Sequence, residues 1–118
     1  MNRQENMVKI AYEALDEKKG EDICIIGISE ISVMADYFVI ATGASTPQIQ
    51  ALVNNVQEKM HEEGIAVKRI EGTRGSSWIL MDYGDVIIHI FNREDRDFYD
   101  LEHIWRDGKR INIEEINK

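Results

Sequence analysis

Trp78, Asp82, Tyr83 and Asp85 lie within eight residues of one another, in the run Trp78–Phe91, WILMDYGDVIIHIF. Paired carboxylates can hold a divalent cation, whereas acids beside large aromatics suit a basic protein partner. Spacing weighs against the cation. Asp82 and Asp85 straddle a turn, and only carboxylates on alternate residues of one strand project the same way. No further ligand group is evident, so neither a metal nor a cofactor is expected. Trp78 opens the hairpin and Tyr83 lies at its tip, where a ring is hard to bury fully. Tryptophan and tyrosine dominate protein–protein contacts, so the constellation favours binding over catalysis.

The other candidates have structural explanations. His89 sits in the apolar run Ile87-Ile88-His89-Ile90-Phe91, as a half-buried residue with satisfied ring nitrogens would. His61 and His103 fall on expected helices beside Glu62 and Glu102. Ser45 or Ser77 can be drawn with His89 and Asp82, yet no nucleophile elbow supports such a triad. Gly43-Ala44-Ser45 could cradle a phosphate at a helix N-terminus, but capping alone explains it, and neither G-x-G-x-x-G nor Gly-Lys-Ser/Thr is present. Cys24, the single cysteine, lies among isoleucines and reads as a small buried hydrophobe.

These residues need a scaffold, and the pattern supplies one. Met7, Ile10, Ala11, Ala14 and Leu15 have helical spacing, with Gly20 placed to end the helix in a left-handed cap. Ile23–Ile26 and Tyr37–Ala41 are short continuous apolar runs, as in strands covered on both faces. Ser45 and Gln48 form a capping box with Pro47 in the first turn, and Ile49, Leu52, Val53, Val56 and Met60 give the helix its apolar stripe. Gly64 closes that helix, and a strand over Ala66–Ile70 would complete a βαβ-like unit. The hairpin follows, with strands Trp78–Met81 and Val86–Phe91 around Asp82-Tyr83-Gly84-Asp85. Asn92–Asp97 is almost wholly polar, and Phe98, Leu101, Ile104 and Trp105 then resume helical spacing over the sheet.

The expected architecture is a single α/β domain over residues 1–108, with a mixed sheet of about five strands flanked by helices. Residues 109–118 are expected to form a loosely held tail, with Ile111, Ile113 and Ile116 available for peripheral packing. The 118 residues, 43% hydrophobic and 31% charged, suit one globular domain. No apolar run approaches the roughly 20 residues that cross a bilayer, and the first residues resemble neither a signal nor a transit peptide. A net charge of −8 opposes direct nucleic-acid binding and favours a basic protein partner.

Several motifs in order resemble the ribosomal silencing factor (Iojap-like) family. They are Ala35–Gly43 with Ser45 and Gln48; Glu71-Gly72; Trp78–His89; and Arg96–Glu102 with Trp105, together covering about Met7 to Asp107. The resemblance implies a nucleotidyltransferase-like fold and a homodimer in the bacterial cytoplasm. It also implies docking on the large ribosomal subunit through its interface ribosomal protein number fourteen, which blocks small-subunit joining and so represses translation. Transferred by motif, the contact residues are Trp78, Leu80, Met81, Asp82, Tyr83 and Asp85, with Glu71, Ser45 and Gln48 mainly shaping the fold. The alternative from the same fold kinship is a metal-dependent nucleotidyltransferase. That chemistry needs an Asp-x-Asp or Asp-x-Glu pair on the strand after the helix, where this chain reads Ala66-Val67-Lys68-Arg69-Ile70. A protein without enzymatic activity is therefore expected.

Overall fold

The longest apolar runs become the centre of a six-stranded sheet in this computed structural model, which describes residues 2–72 and 75–116. The chain runs α1 (Arg3–Glu17), β1 (Glu21–Gly27), β2 (Tyr37–Thr42), α2 (Thr46–Glu62), β3 (Arg69–Glu71), β4 (Trp78–Asp82) and β5 (Val86–Phe91). Short elements follow: α3 (Arg93–Tyr99), α4 (Leu101–Ile104), β6 (Lys109–Ile111) and α5 (Ile113–Ile116). The strand order is β3-β4-β5-β2-β1-β6. Only β2 and β5 pair in parallel among the described strands, from Tyr37 opposite Val86 to Thr42 opposite Phe91. The α/β class with a mixed sheet is as the sequence indicates, with β6 as one strand more than expected.

Each face of the sheet buries its own core. Beneath α1, α2 and α5 lie Ile25, Val39, Ala41, Ile79, Met81, Val86, Ile88 and Ile90, packed against Met7, Leu15, Leu52, Val56, Met60 and Ile116. The opposite face buries Cys24, Ile26, Phe38, Ile40, Ile87 and Phe91, partly covered by Leu101 and Trp105. Alternation along each strand sends neighbouring residues to opposite cores, which is why β2 and β5 read as continuous apolar runs.

Five local expectations are revised. Helix α1 starts earlier, because Asn2 and Glu5 close a capping box, and it ends with Lys19 rather than Gly20 in the left-handed region (φ 63°). Gly20 is instead needed for close approach, since a Cβ there would lie 3.0 Å from the Leu15 carbonyl oxygen. The strand after α2 spans Arg69–Glu71 at the sheet edge and pairs with β4; the parallel partner of β2 is β5, so the crossover includes β3 and β4. Polar Arg93–Tyr99 is helical because the Asn92 side chain accepts from the Asp95 N–H and caps it, and Asp100 (φ 47°) breaks the chain before α4. Residues expected as a loose tail supply β6, antiparallel to β1, and α5, whose Ile116 is buried in the α1–α2 core.

Candidate partner-binding surface

Alternation in β4 divides the predicted contact residues into two sets. Trp78, Leu80 and Asp82 face one side of the sheet and are half-buried; Ile79 and Met81 face the other and are sealed in the α1–α2 core. Tyr83 continues the second set. Its N–H donates to the Val86 carbonyl oxygen (2.9 Å), which prolongs the ladder and drives the ring into that core at 5% exposure. A hairpin-tip tyrosine exposed to a partner is therefore not what this fold presents. The phenol oxygen is buried without a hydrogen-bond partner among the described residues, and burial pushes its pKa up to about 12. Nor do indole and phenol share one end of the hairpin. Trp78 pairs with Phe91 at the open end, and four strand steps of ~3.3 Å put roughly 13 Å between it and the turn.

The turn is built from its own acids. The Asp82 carboxylate accepts from the Gly84 N–H (2.7 Å), and Gly84 takes φ +89°, which a side chain would strain. Asp82 also lies 3.7 Å from the Arg69 guanidinium, which reaches Glu71 at 3.2 Å. Asp85 is exposed and accepts from the Gln4 side chain of α1 (3.4 Å). The two carboxylates thus have different partners. Among the described residues no group of three or more His, Cys, Asp or Glu side chains is placed to hold a metal ion.

Trp78 is held by a ring of contacts. It stacks on Phe91 (centroids 4.9 Å apart, 27°), meets Tyr99 of α3 (4.6 Å, 45°), and donates its indole N–H to His89 Nδ1 (3.2 Å). His89 is buried, with Phe38 meeting it edge-on at 4.8 Å. Only one of its nitrogens is satisfied, for Nε2 has no partner among the described residues. Burial holds the imidazole well below its usual range, at about 4, so the neutral ring accepts the indole proton at Nδ1 and carries its own on Nε2. Beside this cluster, Glu71, Gly72, Trp78 and Leu80 line a shallow cavity of about 190 Å³. Gly72 is required there: at φ +99°, a Cβ would lie 2.6 Å from the Trp78 carbonyl oxygen.

Ser45 and Gln48 hold the scaffold. Ser45 Oγ accepts from the Gln48 N–H (3.2 Å), while the Gln48 amide donates to the Lys18 and Lys19 carbonyls (3.2 and 2.9 Å), tying the start of α2 to the end of α1. The reciprocal bond of the expected capping box goes to the Ala44 N–H instead of Ser45. Arg96, which the sequence marked only as part of a family motif without a role, does the equivalent work on the other face. It is 5% exposed, grips Glu102 with Nε and Nη2 (3.1 and 3.2 Å), and donates from Nη1 to Thr42 Oγ1 (2.9 Å). This network fixes α3 and α4 to the sheet. A guanidinium and a carboxylate six residues apart around a helix break were the available signal.

The whole chain, residues 1–118, matches the family model described as ribosomal silencing factor during starvation. It is 39% identical over 111 residues to the Bacillus subtilis ribosomal silencing factor RsfS, covering 94% of each chain. The factor of that name from Halalkalibacterium halodurans is 36% identical over 116 residues, with 98% of each chain covered. A crystal structure of a Chromobacterium violaceum protein superposes with a TM-score of 0.85 at 37% identity, covering 95% of this chain and 92% of that one.

Proposed function

The chain belongs to the ribosomal silencing factor family, and on that premise we propose that it is a translation repressor that docks on the large ribosomal subunit. In this reading it binds the interface ribosomal protein number fourteen and blocks the small subunit sterically, without chemistry, in the cytoplasm. The free form is a homodimer.

The observation that supports it is the stripe Trp78-Leu80-Asp82, half-exposed on the part of the sheet that α3 and α4 leave open. Trp78 is pinned by stacking and a hydrogen bond, so its face can be covered with little further loss of side-chain freedom. Glu71, Asp82 and Asp85 outnumber the neighbouring Lys68 and Arg69 beside an apolar centre, a balance suited to the Lys- and Arg-rich surface of a ribosomal protein. Met81 and Tyr83 contribute from beneath, by fixing the strand and turn that carry the others.

Sedimentation with purified large subunits tests this. Trp78→Ala and Leu80→Ala are each expected to weaken binding about 30-fold, as loss of a hot spot of about 2 kcal/mol does, and to restore subunit joining. Full binding by both folded variants would remove this stripe from the interface. The nucleotidyltransferase alternative predicts a thermal shift with nucleotide and Mg²⁺ that Asp82→Asn abolishes.

A further inference from the structure

We propose that the docking stripe continues onto helix α3 through Tyr99 and Phe98, so that the basic protein partner meets a floor and a step. The inference rests on the reading that Trp78 and Leu80 contact such a partner, and it adds residues that the hairpin itself does not contain.

Phe98 is 78% exposed and Tyr99 40% exposed. Phe98 is not needed to hold the helices down, and Tyr99 adds only its ring contacts with Trp78 and Phe91. Arg96 anchors α3, and Leu101 and Trp105 cover the core after the left-handed break at Asp100. A single exposed phenylalanine is ordinary on a protein surface. Continuity makes this one different. Phe98 meets Tyr99 edge-on (5.1 Å, 87°), and Tyr99 meets Trp78 (4.6 Å), so exposed aromatic surface runs unbroken from α3 to β4.

Carboxylates outnumber cations around the strip. Asp97, with Arg93 at 4.0 Å, and Asp100 bracket Phe98 and Tyr99 in the chain, while Glu71 and Asp82, bridged by Arg69, border Trp78 and Leu80 on the far side. An apolar strip edged by carboxylates matches a partner whose apolar patch is rimmed by Lys and Arg, and cationic side chains also favour the faces of aromatic rings. Of the other exposed apolar residues, Ile31, Val33 and Met34 lie together on the β1–β2 connection, apart from Ile70 on β3 and Ile104 on α4. That connection adjoins the Asp82–Asp85 turn, since Asp36 and Tyr37 N–H both donate to the Asp85 carbonyl oxygen, so it sits at the opposite end of the sheet from Trp78.

The test measures affinity of the full chain for purified large ribosomal subunits, with urea midpoints and sedimentation velocity on each variant. Phe98→Ser is expected to bind about tenfold more weakly, and Phe98→Lys more weakly still, because it sets a cation against a basic surface. Val33→Ser, which removes a still more exposed apolar side chain elsewhere, is expected to bind as the parent does. Both Phe98 variants should keep the parent's urea midpoint, because the ring is exposed. Should both Phe98 variants bind within about twofold of the parent while Trp78→Ala fails, the extension is wrong and the hairpin reading stands. If Trp78→Ala and Leu80→Ala bind normally as well, the docking reading itself is lost and the extension with it. Loss of self-association in Phe98→Ser with normal subunit binding overturns the proposal by assigning the strip to a second copy of the chain.

Discussion

Acid should destabilise this protein through His89. Enclosed by Phe38, Trp78 and Phe91, the native imidazole has a pKa of about 4, against 6.5 for the free side chain. As pH falls, the unfolded chain takes up this proton first, so stability is full above about pH 6.5 and declines until about pH 4. The gap between those two values corresponds to roughly 3 kcal/mol, of which about 2 kcal/mol is already lost at pH 5. Asp22 contributes with the same sign: the hydrogen bond from Arg93 lowers its pKa, so its stabilisation is lost only at pH values below the usual 3.8. The interval from about pH 7 to pH 5 therefore isolates the histidine. Urea unfolding, followed by tryptophan fluorescence at both pH values, gives the loss for the parent chain and for His89→Phe. The parent is expected to lose about 2 kcal/mol more than the variant over that interval, whatever their absolute stabilities. Equal losses would refute the assignment and show that the imidazole is hydrated in the native state.

Three further outcomes follow from the packing. Glu102→Ala leaves the buried Arg96 guanidinium without its carboxylate; because Glu102 is 26% exposed, the cost falls below that of a fully buried pair, at about 2 kcal/mol in urea midpoint experiments. Gly43→Ala forces a methyl group to 2.6 Å from Ile49 Cγ1 and is expected to lower stability by about 1–3 kcal/mol, read as a drop in Tm. Tyr83→Phe removes a hydroxyl that has no partner, so stability at neutral pH should hold or rise. The raised Tyr83 pKa makes the parent lose stability as pH climbs from 10 towards 12; burial raises Tyr37 as well, so this alkaline loss should shrink in the variant without vanishing, and an undiminished loss would place the titrating group elsewhere.

Much of the scaffold is written in local patterns. The apolar runs of β2 and β5, the Ser45 cap and the Ile49–Met60 stripe each carry a periodicity that short-range physics produces unaided. What escaped were choices settled by long-range pairing. Whether β2 pairs with β3 or β5 depends on hydrogen bonds across tens of residues, and β6 exists only because β1 offers a free edge. Helix α3 was hidden because its anchoring residue is an arginine, whose burial needs Glu102 and Thr42 to arrive from elsewhere. The candidate site was half legible. Types and spacing single out the hairpin, but period-two alternation divides Trp78, Leu80 and Asp82 from Met81 and Tyr83. Treating the turn as the place where acids and rings gather overlooked that split. Helical spacing put Phe98 over the sheet, whereas it faces solvent, and its relation to Trp78 through Tyr99 exists only once α3 lies over β5.

The single parallel pairing at the heart of the sheet also has a kinetic consequence. Tyr37–Thr42 must find Val86–Phe91 after a helix and two other strands have been made between them, and closing so wide a loop is entropically slow. The rate-limiting step of refolding should therefore be the meeting of these two segments. If this is so, trimming Ile40 or Ile88 slows refolding, whereas trimming Ile116, outside that pairing, chiefly hastens unfolding, as stopped-flow measurements would read.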